Sequence, residues 1–321
     1  MTIGSHFSKR LRPALVVTLT LLTLAACSGG AHSSTDAATG APKDKLAQVM
    51  QRGTLVLFTD PQYPPQSEAV KGAARAPHTK CAANQLTTPQ ITGYDAETGK
   101  AVAAAMGLEP CFVTPSWDDV IAGGWGDGWD VAWGSGAITA DRMTRLYVTQ
   151  PSYSTPTNIF VANSSPVHHV NQLSGMTIGA CAGCTMEQYL EGTLKLPGVT
   201  LSMPFKNPKV EPFDNEIPGL RAVAKGKLDA FLCSQPVGAG EISAGLPIRM
   251  LPETLYQTYK TGYLDKSSGL SSRTLVGKIN QIMGGLQADG TLKRLSMKAF
   301  GADYATQAAA FNYASLHQQV Q

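Results

Sequence analysis

The chain has 321 residues, 43% of them hydrophobic and only 15% charged, with a formal net charge of +3. That length suits two domains better than one. Lys9, Arg10 and Arg12 account for the excess of positive charge, so the rest of the chain is near neutral and offers no basic stripe for nucleic acid.

Those three basic residues precede "ALVVTLTLLTLAA" (14–26). This apolar stretch is short for a bilayer span and is flanked like a signal peptide. It ends in "LAAC", Leu24 to Cys27. A small-residue site followed by cysteine is similar to a lipobox, so residues 1–26 are expected to be a lipoprotein signal and Cys27 the lipidated N-terminus of an exported chain. Residues 27–44 are rich in Gly, Ala, Ser and Thr and are expected to form a flexible tether.

"GTLVLFTD" (53–60) then predicts a buried strand, with a turn at "YPPQ". "DAETGKAVAAAMG" (95–107) predicts a helix with Asp95 as N-cap and Gly107 at its end. "PCFVTP" (110–115) is the next strand, "WDDVIAGG" opens a helical turn, and "WDVAWGSG" (129–136) is a third strand. The pattern repeats: strand "MTIGAC" (176–181), helix 185–194, strand "VTLSMPF" (199–205), helix 215–226 and strand "LDAFLCS" (228–234). Residues 274–295 predict two helices joined at Asp289-Gly290. Alternation of this kind indicates βαβ units, and here two doubly wound α/β lobes.

Open α/β sheets bind ligands beyond the carboxyl ends of their strands. Those ends hold Asp60–Tyr63, Ser135–Ala137 (with Gly136 between), Cys181–Thr185 and Ser234–Gln235. Facing lobes would bring these sets together across a cleft. In "GSGAITADR" (134–142), small residues at a strand end let backbone N–H groups approach a ligand. Thr139 is placed to cap a helix, with Arg142 one turn in. A guanidinium beside free N–H groups is a good carboxylate receptor. The competing reading is an ion pair between Arg142 and Asp141 or another surface acid.

The segments "GTLVLFTDPQYPP", "ITGYDAETGKAVAAAMG", "DVAWGSGAITADRMTRLYVTQPSY", "LSGMTIGACAGCTMEQYL", "GKLDAFLCSQP" and "DGTLKRLSMKAFGAD" occur in the order seen in family 3 of the bacterial extracellular solute-binding proteins. Over about residues 45–303 the chain resembles these polar-amino-acid receptors of ABC importers. The resemblance implies a type II periplasmic-binding-protein fold of two α/β lobes with a two-stranded hinge. Lobe I would be residues 45–155 plus 255–321, and lobe II residues 156–254. It further implies that Arg142 binds the ligand carboxylate, with Ser135, Ala137 and Thr185 as further contacts. Tyr63 and Trp117 would sandwich the ligand, and Asp60 would lie near its amino end. The aspartate that usually holds the α-ammonium is replaced by Ser234, which leaves that charge to Asp60, Glu216 or aromatic faces. Some relatives hold a disulfide cysteine where Cys111 stands, so Cys81–Cys111 is the implied pair.

With Cys27 lipidated, the other cysteines are Cys81, Cys111, Cys181, Cys184 and Cys233, an odd set. "CAGCT" (181–185) lacks the further ligands of a zinc ribbon, the scattered histidines make no metal site, and the rest of a thioredoxin pattern is missing. Cys181–Cys184 and Cys181–Cys233 both remain open, with the first preferred. The expected function is therefore a monomeric, lipid-anchored, extracytoplasmic receptor. It would have no cofactor, would bind a small carboxylate-bearing solute and would deliver it to an ABC permease. An enzyme of the dehydratase type on the same scaffold, or a ligand sensor, is the alternative.

Overall fold

The computed structural model describes residues 41–318. Signal peptide, lipidation at Cys27 and most of the tether therefore lie outside the described residues. Asp44 Oδ1 accepts from the Ala47 N–H at 2.8 Å to start α1 (Lys45–Arg52), which ends at Gly53 with φ 74°; that left-handed backbone favours a residue without Cβ. Strand β1 (Thr54–Phe58) is buried throughout. The segment 65–93 is knitted together by short strands. β2 (Gln62–Tyr63), β3 (Ser67–Ala69) and β5 (Ile91–Thr92) form a small sheet, while β4 (Leu86–Thr87) joins the main one. A Cys81–Cys111 disulfide, Cα–Cα 5.4 Å, pins this segment to β6 (Glu109–Val113).

Helix α2 (Tyr94–Ala105) buries Ala96, Gly99, Val102 and Ala103; its N-cap is Gly93, and Asp95 lies in the first turn rather than capping it. Next come α3 (Trp117–Ala122), β7 (Val131–Ala137), α4 (Arg142–Arg145) and β8 (Leu146–Val148). Strand β9 (Tyr153–Ala162) leads to β10 (Thr177–Cys181), α5 (Thr185–Leu190), β11 (Lys209–Phe213) and α6 (Glu216–Ala224). Then follow β12 (Ala230–Ser234), α7 (Gln235–Ser243) and the 18-residue β13 (Ile248–Asp265). Helices α8 (Arg273–Ala288), α9 (Thr291–Phe300) and α10 (Ala305–Ala308) close the chain, with α8 and α9 separated by the expected Asp289-Gly290 turn.

The main sheet runs β11-β10-β12-β9-β13-β7-β1-β6-β4, with β8 also on β13. β1 pairs in parallel with β6 and β7, and β10 with β11 and β12, as βαβ units require. Between these two parallel sets, β9 and β13 run antiparallel to each other and carry the chain from one to the other. Each set has its own core. Leu55, Leu57, Phe112 and Trp133 pack with Ile279 and Leu292 from the C-terminal helices. Ile159, Ile178, Leu232 and Tyr256 centre the other. Two packed α/β halves on a shared antiparallel pair make the two-lobed fold.

One expected strand is absent. Residues 199–205 form no ladder; β11, which begins at Lys209, takes the place beside β10. Pro204 lacks a backbone donor, while Phe205 is buried and Leu201 and Met203 are partly so as irregular chain laid over the core. β11 itself is an edge strand with no buried residue, only Val210 and Phe213 half-buried, which an apolar-run criterion misses. Helix α5 is also shorter than expected, ending at Leu190.

Candidate functional site

The loops at the carboxyl ends of the parallel strands close over one cavity. Its wall includes Asp60, Trp117, Arg142, Thr185, Glu216 and Lys260. Arg142 is 2% exposed. The preceding residues explain its position: Thr139 Oγ1 accepts from the Arg142 N–H at 3.2 Å, which turns the chain into α4. Asp141 is taken by Arg145 at 2.6 Å, so the surface pair with Arg142 does not form. The guanidinium donates from Nη1 to Tyr263 Oη (3.1 Å) and from Nη2 to the Gly183 carbonyl (2.9 Å). It lies over the Trp117 ring, Cζ 5.1 Å from the centroid. Every partner is neutral; among the described residues Arg142 has no carboxylate partner.

Gly183 belongs to "CAGCT". The Cys181–Cys184 disulfide closes that turn, Cα–Cα 5.5 Å, and leaves Cys233 as a buried free thiol. Gly183, φ 67°, makes the left-handed step, and its N–H donates to Glu187 Oε2 at 2.8 Å. Cys184 is the N-cap of α5, and Thr185 is its first helical residue, buried against the cavity. The braced turn thus aims the Gly183 carbonyl across the cleft at Arg142.

A second cross-cleft link joins Tyr63 to the turn before α6. Asn215 caps α6 through Oδ1, which accepts from the Ile217 N–H at 3.2 Å, and sets Glu216 in the first turn, 1% exposed. Tyr63 Oη donates to Glu216 Oε2 at 3.0 Å and lies 3.1 Å from Ser234 Oγ. Ser234 Oγ in turn reaches Glu216 Oε2 at 3.3 Å. A carboxylate therefore stands beside the serine after all, supplied by a neighbouring helix. Burial pushes its pKa up, against the pull of Lys260 and its hydrogen bonds.

Asp95 and Ser135 also line the cavity, with Tyr153 bonded to Ser135. Ser135 has φ 57°, a left-handed backbone uncommon for a residue with a side chain, and its hydroxyl bonds both Asp95 Oδ2 and, at 2.8 Å, Tyr153 Oη. Burial raises Asp95 to about 7 despite that hydrogen bond. Lys260 on β13 stands opposite Ala137 of β7 and Tyr153 of β9. It is 4% exposed, and burial lowers its pKa to about 8. Asp60 is raised by burial, opposed by the Gln62 N–H.

Of the residues expected from sequence, Asp60, Tyr63, Trp117, Ser135, Ala137, Arg142 and Thr185 line this cavity. Three do not. Ser234 is fully buried behind Tyr63 and Glu216. A Cβ on Gly136 would run into the Tyr263 ring, so its lack of side chain makes room for the aromatic that holds Arg142. Gln235 points away, donating to Met250 Sδ and accepting from Tyr304 Oη at 3.3 Å. Trp117 spends a ring face on Arg142. Asp95 and Lys260 were not anticipated. Lys260 shares the buried face of β13 with Tyr256 and Thr258, a placement set by the strand's long-range pairing.

The profile of bacterial extracellular solute-binding proteins, family 3, matches residues 55–302. The L-cystine-binding protein TcyJ of Escherichia coli (strain K12) is 24% identical over 264 residues, covering 80% of this chain and 86% of that one. The L-cystine-binding protein TcyA of Bacillus subtilis (strain 168) is 24% identical over 298 residues, 90% and 97% of the two chains. Among solved structures, an ancestral amino acid-binding protein described as a precursor of cyclohexadienyl dehydratase superposes with a TM-score of 0.64. It has 22% identity and covers 80% of this chain and all of its own.

Proposed function

Given that the chain belongs to family 3 of the bacterial extracellular solute-binding proteins, we propose that it captures an amino acid or close analogue in this cleft and delivers it to an ABC importer. The observation that carries the proposal is Arg142: a buried guanidinium held only by neutral partners and facing a cavity between two halves of the sheet. A buried cation is costly until an anion reaches it, and a ligand carboxylate supplies one with bidentate geometry. Glu216 takes the place of the missing aspartate and receives the α-ammonium. The cross-cleft bonds Arg142–Gly183 and Tyr63–Glu216 make closure and ligand capture one event, a population shift towards the closed form. The lobes are residues 45–155 with 255–321, and 156–254, and the receptor works as a monomer tethered through a lipid on Cys27.

A thermal-shift screen of the purified protein over amino acids and cystine tests this. A ligand at 100 times its Kd adds about 2.7 kcal/mol of stability, an easily read rise in Tm. Arg142→Ala is expected to abolish that rise; a retained shift contradicts the site. One observation favours a second reading: Asp95 near 7 and Lys260 near 8 share the cavity with Glu216, and perturbed groups of this kind also mark catalytic sites. Conversion of a bound ligand, followed by chromatography, would establish a dehydratase-type enzyme in place of a receptor.

A further inference from the structure

Lys260 is a second buried cation in the cleft, and a single ligand carboxylate on Arg142 leaves it unexplained. It sits in mid-sheet, fixed by ladder pairing to Ala137 on one side and Tyr153 on the other. Its side chain forms part of the cavity wall while only 4% of the residue is exposed. Among the described residues it forms no ion pair.

The chain treats its other buried lysine differently. Lys45, 1% exposed, is met by Asp127 at 3.1 Å and by Asp130 at 3.5 Å. Nothing comparable is built around Lys260, although acids share its cavity. Glu216 is turned to Tyr63, Ser234 and Cys233, and Asp95 to Ser135. Both carboxylates influence the ammonium through space without touching it, as does the Arg142 charge. With its pKa near 8, Lys260 stays mostly charged at neutral pH, and its charge is left facing the ligand space. Burying an ammonium without a partner is strongly unfavourable, so a solute that brings an anion to it is selected over one that does not.

Resting on the reading of the cleft as an amino-acid site, we infer that the solute carries a second anionic group, bound by Lys260 Nζ, beyond the α-carboxylate held by Arg142. The ligand class is thus an amino dicarboxylate or an amino acid with another acidic side group. Such a zwitterion matches the cleft group by group: two anions for Arg142 and Lys260, and one ammonium for Glu216.

Calorimetric titration at pH 7 with L-glutamate, L-aspartate and O-phospho-L-serine, against L-glutamine and L-asparagine, tests the inference on the wild-type protein, Lys260→Met, Lys260→Gln and Arg142→Ala. The wild type is expected to bind at least one acidic ligand tenfold or more tighter than the matching amide; the phosphoserine arm tells a phosphate from a carboxylate as the favoured second group. Both Lys260 variants are expected to lose that preference, the acidic ligand weakening tenfold or more relative to its amide. Arg142→Ala is expected to lose acid and amide alike. Equal affinity for acid and amide in the wild type, with Arg142 still required, overturns the inference and leaves the amino-acid receptor standing. A preference that survives in both Lys260 variants also overturns it. No binding of any amino acid overturns the receptor reading and the inference with it.

Discussion

Replacing Asp95 by Asn tests the electrostatics of the cleft without any ligand. Asp95 is 2% exposed at the start of α2, hydrogen-bonded by Ser135 and faced by Tyr94, Tyr153 and Lys260. Burial raises its pKa from 3.8 to about 7. A carboxyl that holds its proton more tightly when folded lends stability that is full below pH 3.8 and is lost as pH rises through about 7. The shift is roughly 3 units at 1.36 kcal/mol each, so about 4 kcal/mol separates the two limits. Asn mimics the protonated acid and does not titrate. Urea denaturation of both proteins at pH 4, 5.5, 7 and 8.5 reads the effect. Near pH 4 the two are expected to be about equally stable. Above pH 7 the variant is expected to be more stable by several kcal/mol, and the difference isolates Asp95 because other groups titrate in both proteins. Parallel stability profiles would refute the reasoning, since they would mean that Asp95 ionises in the folded protein at its ordinary pH.

Glu216→Gln is expected to weaken binding of α-amino ligands by about 10- to 100-fold, the worth of one charged hydrogen bond, while sparing analogues that lack the amine; calorimetry with paired ligands checks it. Gly136→Ala drives a methyl group into the Tyr263 ring and is expected to cost about 1–3 kcal/mol in denaturation. It should also lower ligand affinity, because Tyr263 holds Arg142. The two disulfides are expected to differ by loop length. Cys81–Cys111 spans 30 residues and Cys181–Cys184 spans 3, so paired alanine variants are expected to lose about 4 and about 2 kcal/mol respectively. Equal losses would show that chain entropy does not govern them.

The strand–helix alternation was legible because buried parallel strands read as short apolar runs, as at "TLVLF" and "AFLCS". Arg142 was legible as a candidate from the small residues that precede it, and its role followed only from the family resemblance. The antiparallel spine was not. β13 reads "IRMLPETLYQTYKTGYLD", with Pro252 and polar residues throughout, and its identity as a strand depends on long-range pairing to β9, β7 and β8. Lys260 was hidden with it, since a lysine in a polar stretch reads as solvated until the face is known. Asp95 was read as a cap because Asp favours caps; that it turns inward to Ser135 depends on the strained backbone of a strand distant in sequence. Ser234 in place of the family's aspartate left the ammonium to Asp60, Glu216 or aromatic faces. In the structure Glu216 Oε2 lies 3.3 Å from Ser234 Oγ, brought there by the start of α6.

A crystal structure of the complex with whichever amino acid gives the largest thermal shift measures the central claim most directly. Binding as derived places the ligand carboxylate in the cavity about 3 Å from the Arg142 guanidinium, with the ammonium on Glu216. Density for the ligand outside this cavity, or a bound amino acid whose carboxylate leaves Arg142 without an anion, would contradict it.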